Sequence, residues 1–270
     1  MTAATGLGRC HHALMSPAEP SDTATIEIES GVATITMDDP ERRNALSAEL
    51  VRSLDAHLVA ADADPDVRVI VLTNTGTTFC AGADLKAPPG ARTGGMVDVL
   101  RRILDSPTPV IGRIAGHCMG GGVGLAAACD ISVISDDAEV GFTEVRIGVA
   151  PAMISVVCLP KMRRADAMEL FLSGERIPAS RAVEVGLFNR TAPAHQLDEV
   201  VDEVVQRVVA GGPNALAASK RLVNEVPDLD REAAFAMTEQ LSSALFQADE
   251  AAEGIAAFRE KRPAPWVPEN

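Results

Sequence analysis

Residues 116–131, GHCMGGGVGLAAACDI, place three consecutive glycines and then a fourth, Gly124, within an otherwise apolar stretch. The apolar residues at 109–115 predict a buried strand before the glycines, and residues 125–129 predict a helix after them. At such a junction the first N–H groups of the helix lack partners and the helix dipole is positive. Glycine lets a ligand approach this backbone closely. The segment therefore predicts either an anion site, for a fixed phosphate or a transient oxyanion, or close packing of helix on strand.

The elements around this segment repeat the order strand, loop, helix. Short β-branched runs alternate with helical patterns, which is typical of parallel strands joined by crossover helices. The fold class predicted from this order is α/β. We predict a hairpin at residues 24–37 with its turn at Ser30-Gly31, a helix that starts after Ser47, strands at 67–73 and 131–135, a flexible insertion at 88–95 and a short helix at 96–104.

Helical patterns dominate the last third of the chain. We predict helices at residues 165–172, 179–185, 196–210, 214–226 and 229–258. The chain is therefore divided into a disordered N-terminal extension at 1–20, an α/β core at 21–210 and a helical region at 211–270. A helical region of this kind forms either a subunit interface or a lid over the core.

The composition excludes several classes of partner. A net charge of -14 argues against non-specific nucleic-acid binding, and an aromatic content of 3% argues against base stacking. No apolar run is long enough to span a bilayer, and residues 1–20 lack the apolar core of a signal peptide. The cysteines have no CxxC spacing, and Cys10, His11 and His12 have no second pair of ligands nearby. We therefore predict reduced thiols, a cytoplasmic protein and no metal site.

Known phosphate motifs do not fit the glycines. The pattern G-x-G-x-x-G would require glycine where Leu125 stands, and no Lys-Ser or Lys-Thr pair follows as in a P-loop. A dinucleotide-dependent oxidoreductase is therefore a poor fit. A second small-residue loop, FCAGADLK at residues 79–86, also follows a predicted strand. Loops at the ends of parallel strands converge, so one N–H group from each would form a two-donor oxyanion hole.

Three segments together resemble a known family. FCAGADLK, AGHCMGGGVGLAAACDI and FTEVRIGVAP, in this order and spacing, are similar to blocks of the crotonase superfamily, also called the enoyl-CoA hydratase/isomerase family. The resemblance covers nearly the whole chain after residue 20. It implies a spiral core of ββα units and a helical C-terminal region that forms a homotrimer or a dimer of trimers. It also implies an acyl-CoA thioester as the substrate, with no further cofactor.

The resemblance assigns roles to particular residues. It matches the N–H groups of Ala83 and Gly121 to an oxyanion hole for the thioester enolate, and Glu144 to the catalytic acid/base. Read without the family, Glu144 is a surface charge paired with Arg146, whereas burial among apolar neighbours would raise its pKa. Residues matched to substrate and CoA binding are Arg43, Ala45, Ala81, Asp84, Leu85, Lys86, Gly120, Phe258 and Lys261. The residues alone also allow Asp84 to cap a helix, and the charged ones to be solvated.

Gly124 stands where the family's typical hydratases carry the first of two glutamates. One carboxylate and an oxyanion hole are enough for a 1,3-proton shift, whereas hydration would require Glu144 to manage both proton transfers or another group to assist. The acidic run at Asp136, Asp137 and Glu139 is better interpreted as a solvated turn. We expect hydration of an enoyl-CoA, with double-bond isomerisation and non-catalytic acyl-CoA binding as alternatives.

Other residues beside the loops have simpler interpretations. His117 is either a buried, satisfied histidine or a polar contributor to the pocket, and Cys80 and Cys118 are expected to pack as apolar groups. Ile154 and Ser155 replace glycines of the commoner family pattern, which would reshape the pocket near the catalytic glutamate.

Overall fold

Ten strands form two sheets in the computed structural model, which describes residues 23–88 and 94–267. They are β1 (Ala24–Glu29), β2 (Val32–Met37), β3 (Val69–Asn74), β4 (Thr78–Cys80), β5 (Val110–Ile114), β6 (His117–Met119), β7 (Ile131–Ser135), β8 (Glu139–Gly141), β9 (Arg176–Pro178) and β10 (Arg190–Ala192). The larger sheet has the order β1-β2-β3-β5-β7-β10, and the smaller has the order β4-β6-β8-β9. Only β1 with β2 and β8 with β9 pair antiparallel among these strands.

Ten α-helices connect and follow the strands within the same described ranges. They are α1 (Ala48–Ala63), α2 (Met96–Asp105), α3 (Gly121–Ala128), α4 (Ala152–Cys158), α5 (Arg164–Ser173), α6 (Ala179–Glu184), α7 (Leu197–Val209), α8 (Pro213–Glu225), α9 (Arg231–Gln247) and α10 (Asp249–Glu260). None of the helices in this part of the chain is both long and apolar enough to cross a bilayer.

Each repeat of the core sends its first strand to the large sheet and its second to the small one. This holds for β3 and β4 before α2, for β5 and β6 before α3, and for β7 and β8 before α4. The predicted spiral of ββα units is therefore confirmed. Strand β3 is buried along its whole length, as the run of β-branched residues predicts. The first hairpin turns at Ser30 and Gly31, whose φ values of 51° and 79° match a type I′ turn.

The start of one helix and the number of C-terminal helices differ from the sequence prediction. Helix α3 begins at Gly121 and not at residue 125, because the glycines themselves form its first turn. The single helix predicted at 229–258 is two helices, since Ala248 between them is extended, with φ −78° and ψ 151°. The flexible insertion predicted at 88–95 lies mostly outside the described residues, and the disordered extension predicted at 1–20 lies wholly outside them.

The C-terminal helices bury little of their own surface. Of the residues in α8, α9 and α10, only Ala218 and Ala257 are buried.

Two basic side chains connect this C-terminal region to the core by hydrogen bonds and an ion pair. Lys220 forms an ion pair of 2.8 Å with Asp130 and donates to the carbonyl oxygen of Ile103. Arg68 donates to carbonyl oxygens of the C-terminal part, including that of Trp266 at 2.9 Å. The subunit interface predicted for these helices stays a prediction.

Candidate active site

Three consecutive strands of the small sheet end at the groups that the sequence singled out. Ala83 follows the end of β4, Gly121 follows the end of β6, and Glu144 follows the end of β8. These strands are parallel neighbours in the order β4-β6-β8, so their carboxyl ends lie side by side at the normal strand spacing of about 4.8 Å. The small sheet thus places two backbone N–H groups and one carboxylate in a row.

The loops after β4 and β6 approach each other so closely that glycine is required. A Cβ atom on Gly82 would lie 3.0 Å from the carbonyl oxygen of Met119 and 3.3 Å from the nitrogen of Gly121, and Gly82 has a φ of +86°. A Cβ atom on Gly121 would lie 4.0 Å from the nitrogen of Ala83. The predicted convergence of the two loops is therefore present.

The N–H groups of Ala83 and Gly121 are available at this junction. Gly121 is the first residue of α3, so its N–H group has no partner within the helix. Among the described residues, neither of these N–H groups donates to a backbone carbonyl oxygen in a turn, loop or cap. Two such donors on one side of a narrow junction can stabilise an oxygen atom that gains negative charge.

The loop after β4 is held in place by the segment between β2 and α1. The N–H group of Leu46 donates to the carbonyl oxygen of Gly82 at 2.8 Å, and the N–H group of Ala81 donates to the carbonyl oxygen of Arg43 at 3.0 Å. An isolated parallel bridge joins Leu46 to Ala83. Residue 83 is therefore positioned by backbone pairing as well as by its own strand.

Asn44 anchors this supporting segment, a role that was not predicted from the sequence. Its side chain is fully buried and donates to the carbonyl oxygens of Thr75 at 3.1 Å and Thr78 at 2.8 Å. Its Oδ1 accepts from the N–H group of Asp39 at 2.8 Å. Asn44 and Arg43 both have positive φ values, 50° and 54°, which asparagine tolerates better than most residues. The only sequence signal was the asparagine within residues 42–46, RRNAL.

Replacing Asn44 with alanine should lower the free energy of unfolding by about 2 kcal/mol, because buried partners would be left without hydrogen bonds. Turnover should fall more than substrate affinity, since the loop that carries Ala83 loses its support. Urea unfolding and steady-state kinetics measure both effects. Asn224, whose exposed amide makes one bond of 3.3 Å, provides the control, and Asn224→Ala should change stability by less than about 0.5 kcal/mol. Equal effects of the two variants would contradict the anchoring role.

Glu144 points its carboxylate at Gly120, which caps α3. A Cβ atom on Gly120, which has a φ of +52°, would lie 3.2 Å from Oε1 of Glu144. Oε2 is buried and has no hydrogen-bond partner among the described residues. Burial raises the pKa of Glu144, and a hydrogen bond from its own backbone offsets part of this rise. The predicted rise in pKa is confirmed, and no ion pair with Arg146 occurs in the described part of the chain.

The raised pKa of Glu144 has a consequence for stability that can be measured. The folded chain holds this proton more tightly than the unfolded chain, so the resulting stabilisation is complete below pH 4.5 and is lost as the pH rises through the folded-state pKa. Glutamine does not titrate. Glu144→Gln should therefore become more stable relative to the wild type as the pH is raised from below 4.5 to neutrality. A difference in unfolding free energy that stays constant with pH would contradict this burial effect.

Gly124 has no room for a side chain. A Cβ atom there would lie 2.1 Å from Cγ2 and 2.5 Å from Cβ of Ile154, on the facing helix α4. Ile154 is only 2% exposed. The position at which the resemblance places a first glutamate is therefore filled by an aliphatic side chain.

The other acidic candidates lie away from this packing. Asp136, Asp137 and Glu139 are exposed around the turn between β7 and β8, and Glu139 pairs with Arg176 at 3.4 Å. They form the solvated turn that the sequence predicted. His117 is half-buried, and its Nδ1 accepts from the N–H group of Glu139 at 3.0 Å.

Two further expectations have clear outcomes. Cys80 and Cys118 are buried, and burial raises the pKa of Cys80 to about 12. Their predicted apolar packing is confirmed. The helix cap predicted at Asp84 is wrong: its Oδ1 accepts from the N–H group of Lys86 at 2.9 Å, which closes a short turn, and no helix starts there.

The structure groups most of the residues assigned to substrate binding. Arg43 and Ala45 lie beside the loop of residues 81–86, and Gly120 lies against its other side. Leu85 is 55% exposed. Phe258 lies in α10 and Lys261 caps its C-terminus, and no hydrogen bond or ion pair in the described ranges links them to this group. Their assignment stays a prediction.

Comparison with known proteins identifies the class to which this fold and site belong. The family model Enoyl-CoA hydratase/isomerase matches residues 27–269. The enoyl-CoA hydratase EchA19 of Mycobacterium tuberculosis is 32% identical over 259 residues, which are 92% of this chain and 97% of that protein. The (E)-benzylidenesuccinyl-CoA hydratase of Thauera aromatica is 30% identical over 246 residues, which are 88% of this chain and 96% of that protein.

A solved structure agrees with the sequence relatives. The crystal structure of an enoyl-CoA hydratase from Mycobacterium smegmatis superposes with a TM-score of 0.86 and 30% identity, covering 91% of this chain and 99% of the other. The chain therefore belongs to the enoyl-CoA hydratase/isomerase family. It is an enzyme of that family with the crotonase fold, as the three sequence blocks predicted.

Proposed function

We propose that the protein hydrates an enoyl-CoA thioester and that Glu144 is its only acid/base. The observation that carries this proposal is the row formed by Ala83, Gly121 and Glu144 after three neighbouring parallel strands. The names of relatives that cover nearly the whole chain support hydration. The substrate itself carries CoA, so the proposal includes no separate cofactor.

In the proposed reaction the thioester oxygen lies between the N–H groups of Ala83 and Gly121. The oxygen atom of a water molecule bonds to the β-carbon while the water gives a proton to the carboxylate of Glu144. The electron pair of the double bond moves into the enolate. Glu144 then returns the proton to the α-carbon, so the elements of water are added and the glutamate is restored. Each oxyanion-hole donor typically contributes about 3 kcal/mol to such an enolate.

Isomerisation is a second candidate because of the packing at Gly124. Ile154 fills the place at which a second carboxylate would stand, and a single carboxylate can remove a proton at the γ-carbon and return it at the α-carbon. In both candidate reactions the same two N–H groups would stabilise an enolate of the thioester. The two candidates differ in whether water or the γ-carbon gives its proton to Glu144, and only hydration adds an oxygen atom to the β-carbon.

A panel of enoyl-CoA thioesters in oxygen-18 water tests both candidates. Water addition places the label on the β-carbon, whereas migration of the double bond leaves the product unlabelled. We expect label in the product for at least one member of the panel. CoA binding with neither label nor migration, and with no exchange of the α-proton in heavy water, would establish the non-catalytic alternative.

We also propose that the C-terminal helices assemble the chain into a trimer or a dimer of trimers. The support is the set of large apolar side chains that these helices expose, among them Phe235 at 67% and Phe246 at 73%. Single chains rarely leave so much aromatic surface in contact with water. Sedimentation velocity gives the mass of the assembly.

A further inference from the structure

The side chain of Asn74 joins two places at which the chain leaves the large sheet for the small one. Asn74 is the last residue of β3, and the residues after it lead into β4. Its Oδ1 accepts a hydrogen bond of 3.1 Å from the N–H group of Ala115, which lies between β5 and β6. Its Nδ2 donates within its own turn, at 3.1, 3.3 and 3.3 Å, to the carbonyl oxygens of Thr75, Gly76 and Thr78. One amide therefore ties the first crossing to the second.

The surroundings leave this amide only one orientation. The residue is 6% exposed, so little water reaches the side chain to replace its hydrogen bonds. Three carbonyl oxygens face Nδ2 and one N–H group faces Oδ1. Turning the amide over would set oxygen against oxygen and nitrogen against nitrogen. A buried amide with partners on both sides holds the two backbone segments at fixed positions.

Backbone pairing does little to align the two crossings. The ladder between β3 and β5 ends two residues before Asn74. Beyond the crossings, the register of β4 on β6 shifts between the two pairs that join them, Thr78 with His117 and Cys80 with Cys118. Two pairs around an irregularity are too few to fix the register on their own.

The register of β4 on β6 determines how far apart the two proposed oxyanion donors lie. Ala83 comes three residues after the end of β4, and Gly121 comes two residues after the end of β6. A slip of one residue would move one N–H group along the sheet by about 3.3 Å relative to the other. After such a displacement the two groups could not both bond to one oxygen atom.

The backbones of the two crossings meet directly after the bond between Asn74 and Ala115. A Cβ atom on Gly116 would lie 2.2 Å from the carbonyl oxygen of Thr77. The N–H group of His117 donates to that same oxygen at 3.1 Å. The Asn74 amide thus supplies the first of two hydrogen bonds, one on each side of Gly116, that hold the second crossing on the first.

We propose that Asn74 is a positioning residue for the reaction, which aligns β4 with β6 so that the N–H groups of Ala83 and Gly121 share one oxygen atom. This inference rests on the proposed function, because it concerns the same two donors. The acceptor oxygen of Asn74 provides the alignment, since it is the atom of this side chain that bonds to the second crossing. The nitrogen stabilises the turn between β3 and β4.

Three variants separate the two parts of the amide. Asn74→Asp keeps an oxygen for the N–H group of Ala115 and loses the donors to the turn, whereas Asn74→Ala loses both. Both changes should lower the melting temperature by about 4 °C or more, because buried carbonyl oxygens lose their donors. Asn189→Ala is the matched control, since Oδ1 of Asn189 accepts the N–H group of Ser132 at 2.8 Å within the large sheet, away from β4 and β6.

The measurement is the infrared stretching frequency of the thioester carbonyl group in a bound saturated acyl-CoA that carries carbon-13 at this position. Two donors aimed at the oxygen atom weaken the carbon–oxygen bond and shift its frequency below that of the free thioester. We expect Asn74→Ala to lose at least about half of this shift and to lower kcat at least about tenfold, because one donor is misplaced. Asn74→Asp and Asn189→Ala should keep most of the shift.

The shift and the melting curves together decide the outcome. A folded Asn74→Ala protein with the wild-type shift, or equal losses of shift in the alanine and aspartate variants, would overturn the inference. If only the aspartate variant folds, the wild-type shift supports the alignment and the frequency of the free thioester contradicts it. Failure of both variants to fold would assign Asn74 to the fold alone and would also overturn the inference.

Failure of the proposed function has a different signature. A wild-type protein that binds the acyl-CoA without any shift of the carbonyl frequency contradicts the oxyanion hole itself. A wild-type protein that shows the shift, with variants at position 74 that all retain it, contradicts only the role of Asn74.

Discussion

Replacing Glu144 with glutamine should lower turnover of the enoyl-CoA substrate by about a thousandfold, while affinity for the CoA thioester stays within a few-fold. Glutamine keeps the size of the side chain and loses the ability to accept and return a proton. The carboxylate is the only group in the row at the ends of β4, β6 and β8 that can carry a proton, since the other two are backbone N–H groups. The effect should therefore appear in kcat.

Three measurements make this prediction decisive. Steady-state kinetics give kcat, calorimetric titration with a non-reactive acyl-CoA gives affinity, and α-proton exchange in heavy water reports the proton transfer alone. Glu139→Gln changes an exposed glutamate near the start of β8 and should retain wild-type rates. Full activity of Glu144→Gln on the true substrate would show that another group moves the proton.

Replacing Gly122 with alanine should destabilise the protein by at least about 3 kcal/mol, the upper part of the range for overpacked positions. A Cβ atom there would lie 2.5 Å from the carbonyl oxygen and 2.7 Å from the Cβ atom of Cys80. Both atoms are rigid, because Cys80 ends a paired strand. The clash would push the loop of Ala83 away from Gly121, so activity should fall at least about a hundredfold as one donor is misplaced.

The control for this variant is the same change in another helix. A Cβ atom on Gly254 of α10 would meet only the edge of the Trp266 ring, at 3.0 Å. Alanine is favoured over glycine within helices by up to about 1 kcal/mol, so Gly254→Ala should be close to neutral in stability and turnover. Thermal unfolding and kcat compare the two. A Gly122→Ala enzyme with wild-type stability would show that the two loops can move apart freely.

Much of the site followed from the sequence because it depends on local backbone chemistry. Glycines after a buried strand and before a helix predict free N–H groups, and two such segments predict their convergence at one sheet edge. The α/β fold class followed from the alternation of strand and helix patterns, whereas the ββα repeat was expected only from the resemblance to the family. The short strands β4, β6, β8 and β9 were not predicted, because strands of three residues exist only through pairing with their neighbours.

The features that sequence patterns missed depend on contacts between distant segments. Asn44 bonds to residues about thirty positions away, and nothing in its neighbourhood distinguishes it from a surface asparagine. The filling of position 124 by Ile154 needs the packing of α3 on α4. The break at Ala248 leaves the helical spacing of apolar residues almost unchanged, so periodicity alone indicated one long helix.

The order of the small sheet has a consequence for how sequences with this fold can diverge. The two N–H donors belong to the main chain, and their separation comes from strand pairing, so most side-chain substitutions leave them in place. The proposed acid/base group follows the third strand. The space beside it on α3 is determined by one residue, Gly124, and by the side chain that faces it, Ile154. Under the proposed function, mutation at two or three positions can change the proton chemistry, while the backbone groups that would stabilise an enolate stay in place.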